Sequence, residues 1–340
     1  MKNKIYKKLI YLNIILAFSP FGLHLTASAV CGNNASLSTA YTGVFEGDTN
    51  PYQLNYFNQD GTCSFTVTNS GSSTTGLIVR HSTLDFIMQN GTLSSGSNAL
   101  TNYQSIVTLF TNNGTVSGGD NGISMESQGE FTTLINNGTI SGIRYSGIVN
   151  YQSIIEKLEN NIGATISGGS SGIVGTGPIT ELVNSGLITG LSDSGIKTTH
   201  VMDRLINNVS GVISGYEAGI KTLSQLGIGT LTNDGIISST NGWGILYGDG
   251  SRREQLINTG IISGPIGGVY SGQLYAPSQS VASITNSGLI EGTDTGSSGI
   301  VMSTGGSNKI INNAGGTISG SDYGILFENT STLTKLTNDG

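Results

Sequence analysis

The chain has 340 residues, only 10% of them charged, with 14 Lys and Arg against 21 Asp and Glu and a formal net charge of −7. A surface so sparse and acidic excludes a nucleic-acid footprint, which needs clustered cations, and disfavours direct docking on anionic lipid. Two cysteines and three histidines leave no His or Cys cluster for a metal site.

In chain order, the first predicted element is a secretory signal over residues 1–29. Lys2, Lys4, Lys7 and Lys8 form a positive n-region, an apolar run from Leu9 to Leu25 follows, and Ala27-Ser28-Ala29 is an A-x-A cleavage site. A membrane anchor is the competing reading, disfavoured because Asn13 and the Ser19-Pro20 pair interrupt the run. Cys31 lies just beyond, but Ser28-Ala29-Val30 lacks the Leu and the small residue that lipid attachment wants before the cysteine. Cleavage would take away four lysines and no carboxylate, moving the formal charge from −7 to −11.

Residues 30–80 read as an N-terminal capping region. Cys31 and Cys63 are predicted to form a disulfide in an oxidising compartment, with two free thiols as the alternative.

Residues 81–340 are built on a returning phrase. It appears as LINNGTISG at 134–142, LVNSGLITG at 182–190, LTNDGIISS at 231–239, LINTGIISG at 256–264 and ITNSGLIEG at 284–292. Its anchoring asparagines, Asn112, Asn136, Asn160, Asn184, Asn207, Asn233, Asn258, Asn286, Asn312 and Asn338, are 23 to 28 residues apart. A period of this size means a solenoid. Within the phrase Leu134, Asn136, Gly138 and Ile140 alternate with Ile135, Asn137 and Thr139, which is the strand period and predicts one inward face. The variants at 160–166, 207–213 and 312–318 hold two extra residues between Asn and Ile; an even insertion keeps that phase, as a turn of variable length would. A Gly-Ile pair (122–123, 147–148, 172–173 and onward) starts a second strand, and the return to the next Leu supplies a third. The expected fold is therefore all-β: a right-handed parallel β-helix of about ten coils, three short strands per coil, with a rod length of about 50 Å.

The asparagine column predicts stacked amides bonded to one another. Its competing reading is a polar ligand groove. Asp120, Asp193, Glu217, Asp294 and Asp322 precede the Gly-Ile pairs. Converging carboxylates would mark a carbohydrate-active enzyme, but their offsets from the asparagine differ and they read as solvated turns. Gly168-Gly169-Ser170-Ser171-Gly172 matches the G-x-S-x-G pattern formally, without the helix that a nucleophile elbow needs. No catalytic residue and no cofactor is expected. The candidate ligand contacts are Trp243, Tyr247, Arg252, Arg253, Tyr270 and Tyr275, in and beside the irregular stretches 246–255 and 264–283. Aromatics and Arg carry binding hot spots and stack on sugar rings. The competing reading is that these aromatics, like Tyr145, Tyr216 and Tyr323, pack laterally over the coil.

Many copies of L-x-N-x-G-x-I-S-G followed by Gly-Ile, behind a signal peptide, resemble the passenger regions of bacterial autotransporters. The resemblance covers roughly residues 80–340. It implies export through the Sec pathway and display at the cell surface by a C-terminal outer-membrane β-barrel that is not present in this chain. It also implies a role in adhesion or cell–cell aggregation, with a host glycan, a host surface protein or the same protein on another cell as partner. The related two-partner haemagglutinins carry Asn-Pro-Asn-type motifs, and only Asn50-Pro51-Tyr52 occurs here. LTNDG at 336–340 stops inside the phrase, which predicts a fragment or premature stop, with a last coil capped by self-association as the alternative. A β-helical lyase or hydrolase and a passive stalk are the other functional expectations.

Overall fold

The computed structural model describes residues 76–340, apart from 224–226, 249–254, 273–282, 304–305 and 329–330. Upstream it describes the backbone of the strands Leu25–Cys31, Ala35–Leu37, Tyr52–Asn55, Cys63–Asn69 and Ser72–Ser73. One coil shows how the rest are made. Glu130–Asn136 lies in a first sheet, Thr139–Gly142 in a second and Ile148–Tyr151 in a third. Each strand pairs in parallel with its counterparts one coil before and one coil after, so Asn112, Asn136 and Asn160 come into register, as do Val116, Ile140 and Ile166. The three sheets hold 14, 11 and 12 strands, and the whole is a β-solenoid of three strands per coil and about ten turns.

The core is the inner column of each sheet. Leu134, Ile140 and Ile148 are fully buried, as are their counterparts Leu182, Ile188 and Ile196. Each such side chain is worth about 1.5–3 kcal/mol of transfer free energy before ordering entropy is subtracted.

The repeat phrase is not one strand, as the alternation suggested, but two strands meeting at a corner. The chain bends at Asn137-Gly138, where the backbone N–H of Gly138 donates to Oδ1 of Asn136 (3.3 Å) in a local Asx-type turn. A Cβ on Gly138 would run into the carbonyl oxygen of Gly114 on the coil before, so close coil stacking demands glycine here. The longer variants add a turn at this corner: Asn160 and Ile166 are both buried and in register while Ile162 and Gly163 loop outward, with Gly163 at φ +78°. The even insertion does keep the phase.

Parallel pairing extends upstream of residue 81. Tyr52–Asn55 pairs with Leu77–Arg80, Cys63–Asn69 with Thr83–Gln89, and Ser72–Ser73 with Thr92–Ser95. Beyond them Leu25–Cys31 lies antiparallel on Cys63–Asn69 and takes Ala35–Leu37 on its other side. This register sets Cys31 opposite Cys63. The expected cleavage site Ala27-Ser28-Ala29 falls within that strand, and residues 1–24 lie outside the described residues.

Candidate functional site

The asparagine column forms a continuous ladder. Nδ2 of each donates to Oδ1 of the next, from Asn112 through Asn136, Asn160, Asn184, Asn207, Asn233, Asn258, Asn286 and Asn312 to Asn338, at 2.7–2.8 Å. Nδ2 of Asn136 also donates to the carbonyl of Thr165 (3.1 Å) on the following coil. Donors and acceptor are thereby satisfied inside the rod. Asn136 and Asn184 are fully buried, so the column is a structural spine and the ligand-groove reading falls. A shorter, exposed ladder runs beside it in the reverse sense: Asn161 donates to Asn137 (2.6 Å), Asn137 to Asn113 (2.8 Å) and Asn113 to Asn90 (2.7 Å).

Of the candidate ligand contacts Trp243, Tyr247 and Tyr270 fall among the described residues, and these three do not share one surface. Tyr247 is 1% exposed and belongs to the core, because it shares strand parity with the buried Ile245; its ring meets no solvent and is withdrawn as a contact. Trp243 is half-buried and lies in register with Ala218 on one side and Gly267 on the other. Those small neighbours leave room for the indole, which tilts at 53° against the Tyr270 ring with centroids 5.1 Å apart. Trp243 and Tyr270 thus make a local aromatic pair. Arg252, Arg253 and Tyr275 lie outside the described residues. Tyr145, Tyr216 and Tyr323 are exposed, against the expectation of lateral packing. They sit at the corner between the second and third sheets, where the inner side admits only small residues: a Cβ on Gly142 would collide with the carbonyl oxygen of Ser146.

Three of the carboxylates at this corner, Asp120, Asp193 and Glu217, face cations. Asp120 pairs with Arg144 of the next coil (3.4 Å). Asp193 binds Lys197 at 2.6 Å and approaches Lys221 at 3.6 Å, and Lys221 also holds Glu217 at 2.6 Å. Lys197 and Lys221 stack in register on the third sheet. Burial pushes the Asp193 carboxyl up, but the Lys197 hydrogen bond and the Lys221 charge outweigh it and hold the group below its ordinary value. Among the described residues no group of three or more His, Cys, Asp or Glu gathers as a metal site would require. Ser170 lies at a corner followed by the strand Ile173–Gly175, and no helix follows it.

The largest uniform feature was not singled out from the sequence. On the second sheet the residue just before each inward aliphatic (Leu93, Val116, Ile140 and onward) points outward. That column reads Thr92, Thr115, Thr139, Thr165, Leu187, Val212, Ile236, Ile261, Leu289 and Thr317, every pair in register. Beside it, two residues on, stand Ser117, Ser141, Ser167, Thr189, Ser214, Ser238 and Ser263, with hydroxyls bonded between coils at Ser141–Ser117 (3.0 Å) and Ser214–Thr189 (3.0 Å). The signal was present as the residue between Gly and Ile in the repeat phrase; it drifts from Thr to aliphatic halfway along the rod.

No family model matches the chain, and no curated protein or solved structure proved similar to it.

Proposed function

We propose that this chain is a secreted, surface-displayed β-helical passenger of the autotransporter type, acting in adhesion or cell–cell aggregation without catalysis. The observation that carries this reading is the outer face of the second sheet, where hydroxyl and aliphatic columns repeat in register over many coils with almost no charge. Such a face offers the same contact many times over, so weak single contacts add when the partner is also repetitive. Glycan chains and arrays of the same protein are partners of that kind. The pairing of Asp120, Asp193 and Glu217 with Arg and Lys leaves those acids committed to ion pairs.

The test uses the chain on live cells. Bacteria producing it from its own gene are fractionated and probed with antibody against the repeats, then scored for settling and for binding to immobilised glycans and host surface proteins. Surface exposure together with settling or binding is the expected result. A chain confined to the cytoplasm, or one that releases reducing ends from a polysaccharide, would overturn the reading.

A further inference from the structure

The outward column of the second sheet contains an apolar stripe of five consecutive coils: Leu187, Val212, Ile236, Ile261 and Leu289, bounded by Thr165 and Thr317. Ile236 and Ile261 keep 38% of their surface exposed although their neighbours stack directly above and below. Contiguous exposed aliphatics of this kind mark an interaction site more often than an accident of sequence.

The order of the stripe identifies the occupant. Read from Thr165 to Thr317 it is Thr-Leu-Val-Ile-Ile-Leu-Thr, which is nearly the same in reverse, with Ile236 at the centre. We propose that this face binds a second copy of the chain, sheet against sheet, about a two-fold axis that runs parallel to the strands through Ile236. Such an axis reverses the coil order and keeps each column opposite its own kind. Leu187 then faces Leu289, Val212 faces Ile261, Ile236 faces itself and the two threonines meet at the ends. Residue i meets j and j meets i, as an isologous contact requires.

Electrostatics agrees. The chain is acidic, with a formal charge of −7, so two copies repel unless they meet where charge is absent. Over these coils the neighbouring outward column is Ser167, Thr189, Ser214, Ser238, Ser263, Glu291 and Ser319. The two-fold places the single carboxylate, Glu291, against Thr189 and keeps the two copies of Glu291 apart. A parallel arrangement in the same register would set Glu291 beside its own copy.

Size sets the strength. Seven overlapping coils at about 4.8 Å and strands of about 13 Å give roughly 440 Å² per copy. That is below the roughly 800 Å² per partner of a stable complex. A single pair is therefore weak in dilute solution, and an array of copies on a surface holds by avidity. Biological use of the contact rests on the display reading above, whereas the contact itself is measured on the soluble chain.

The experiment is cross-linking of the purified full-length chain with a bismaleimide that spans on the order of 10 Å, the distance between packed sheets. Three single variants are made, Ile236→Cys, Leu187→Cys and Leu289→Cys, with the wild type as control for Cys31 and Cys63. Ile236→Cys is expected to link to itself. Leu187→Cys should not do so alone, but should link to Leu289→Cys when the two are mixed. Adding Ile261→Asp to Ile236→Cys should cut the linked fraction at least about tenfold, with an unchanged unfolding midpoint to certify the fold. No linkage in any combination, or self-linkage of Leu187→Cys as strong as that of Ile236→Cys, overturns the proposal. A chain that links in this pattern but is never displayed keeps the inference and sinks the display reading. A displayed chain that binds glycan without this pattern does the reverse.

Discussion

The two halves of the second sheet share one backbone and present opposite surfaces. From Thr92 to Thr165 the outward column is hydroxyl; from Leu187 to Leu289 it is aliphatic. Inside, both halves are alike: buried Val116, Ile140 and Ile166 in one, Ile188, Ile213, Ile237, Ile262 and Ile290 in the other, with the same asparagine ladder beside them. The interior is held constant by packing and hydrogen bonding between identical coils. The outer column points away from that core and stacks in register on its own kind, so it varies at little cost to the fold. Stability and recognition are thereby separated on the two sides of one strand.

The largest test of that separation strikes the shared interior. Asn184→Leu removes an amide that accepts from Asn160 and donates to Asn207 and to Val212, leaving buried polar partners on both flanking coils. We expect a loss of about 4 kcal/mol, from several orphaned groups at 1–3 kcal/mol each, read as a fall in the denaturant midpoint; an unchanged midpoint would refute the spine. The N-terminal edge comes next. Residues opposite one another in an antiparallel pair lie about 4.5–5.5 Å apart at Cα, within disulfide reach. A Cys31–Cys63 bond should then slow the chain's migration on reduction, and its loss should cost about 3 kcal/mol. N-terminal sequencing of the mature chain bears on the same edge, since cleavage after Ala29 would remove most of the strand Leu25–Cys31.

Exchanging the outer columns should barely move stability. Thr115→Leu, Thr139→Ile and Thr165→Leu together give the first half the surface of the second. Each change is expected to shift stability by no more than about 0.5 kcal/mol, while binding of a hydrophobic dye rises. A large drop in the midpoint would mean that the outer column shares in the fold and would end the comparison. The smallest effect is electrostatic. The Asp193 carboxyl is held below its ordinary 3.8, so its pairing with Lys197 and Lys221 stabilises the fold above that value and is lost as pH falls through the lower folded one. Solvent screening keeps the contribution at about 0.3 kcal/mol. Asp193→Asn should flatten that part of the acid-unfolding curve, and a curve identical to wild type would remove the pair from the account.

Much of the candidate site was legible only in part. The asparagine spacing announced the spine because identical residues at a fixed period must stack once coils pair in register. Tyr247 was misplaced, because its side depends on parity counted from Ile245, and the irregular stretch after it hid that parity. The exposure of Tyr145, Tyr216 and Tyr323 was missed because the tightness of the corner is set in part by the neighbouring coil, as a Cβ on Gly142 against the carbonyl oxygen of Asp120 shows.

The sequence alone determined the solenoid, its three strands per coil, the tolerance for two-residue insertions and the asparagine spine. All four follow from period, and period is a one-dimensional property that a chain writes directly. Only the tertiary structure decided where the repeat phrase bends, which cations meet Asp193, how Trp243 finds its place over Gly267, and that five scattered aliphatics form one stripe. Those depend on which coil lies against which, a relation set by register between strands more than twenty residues apart.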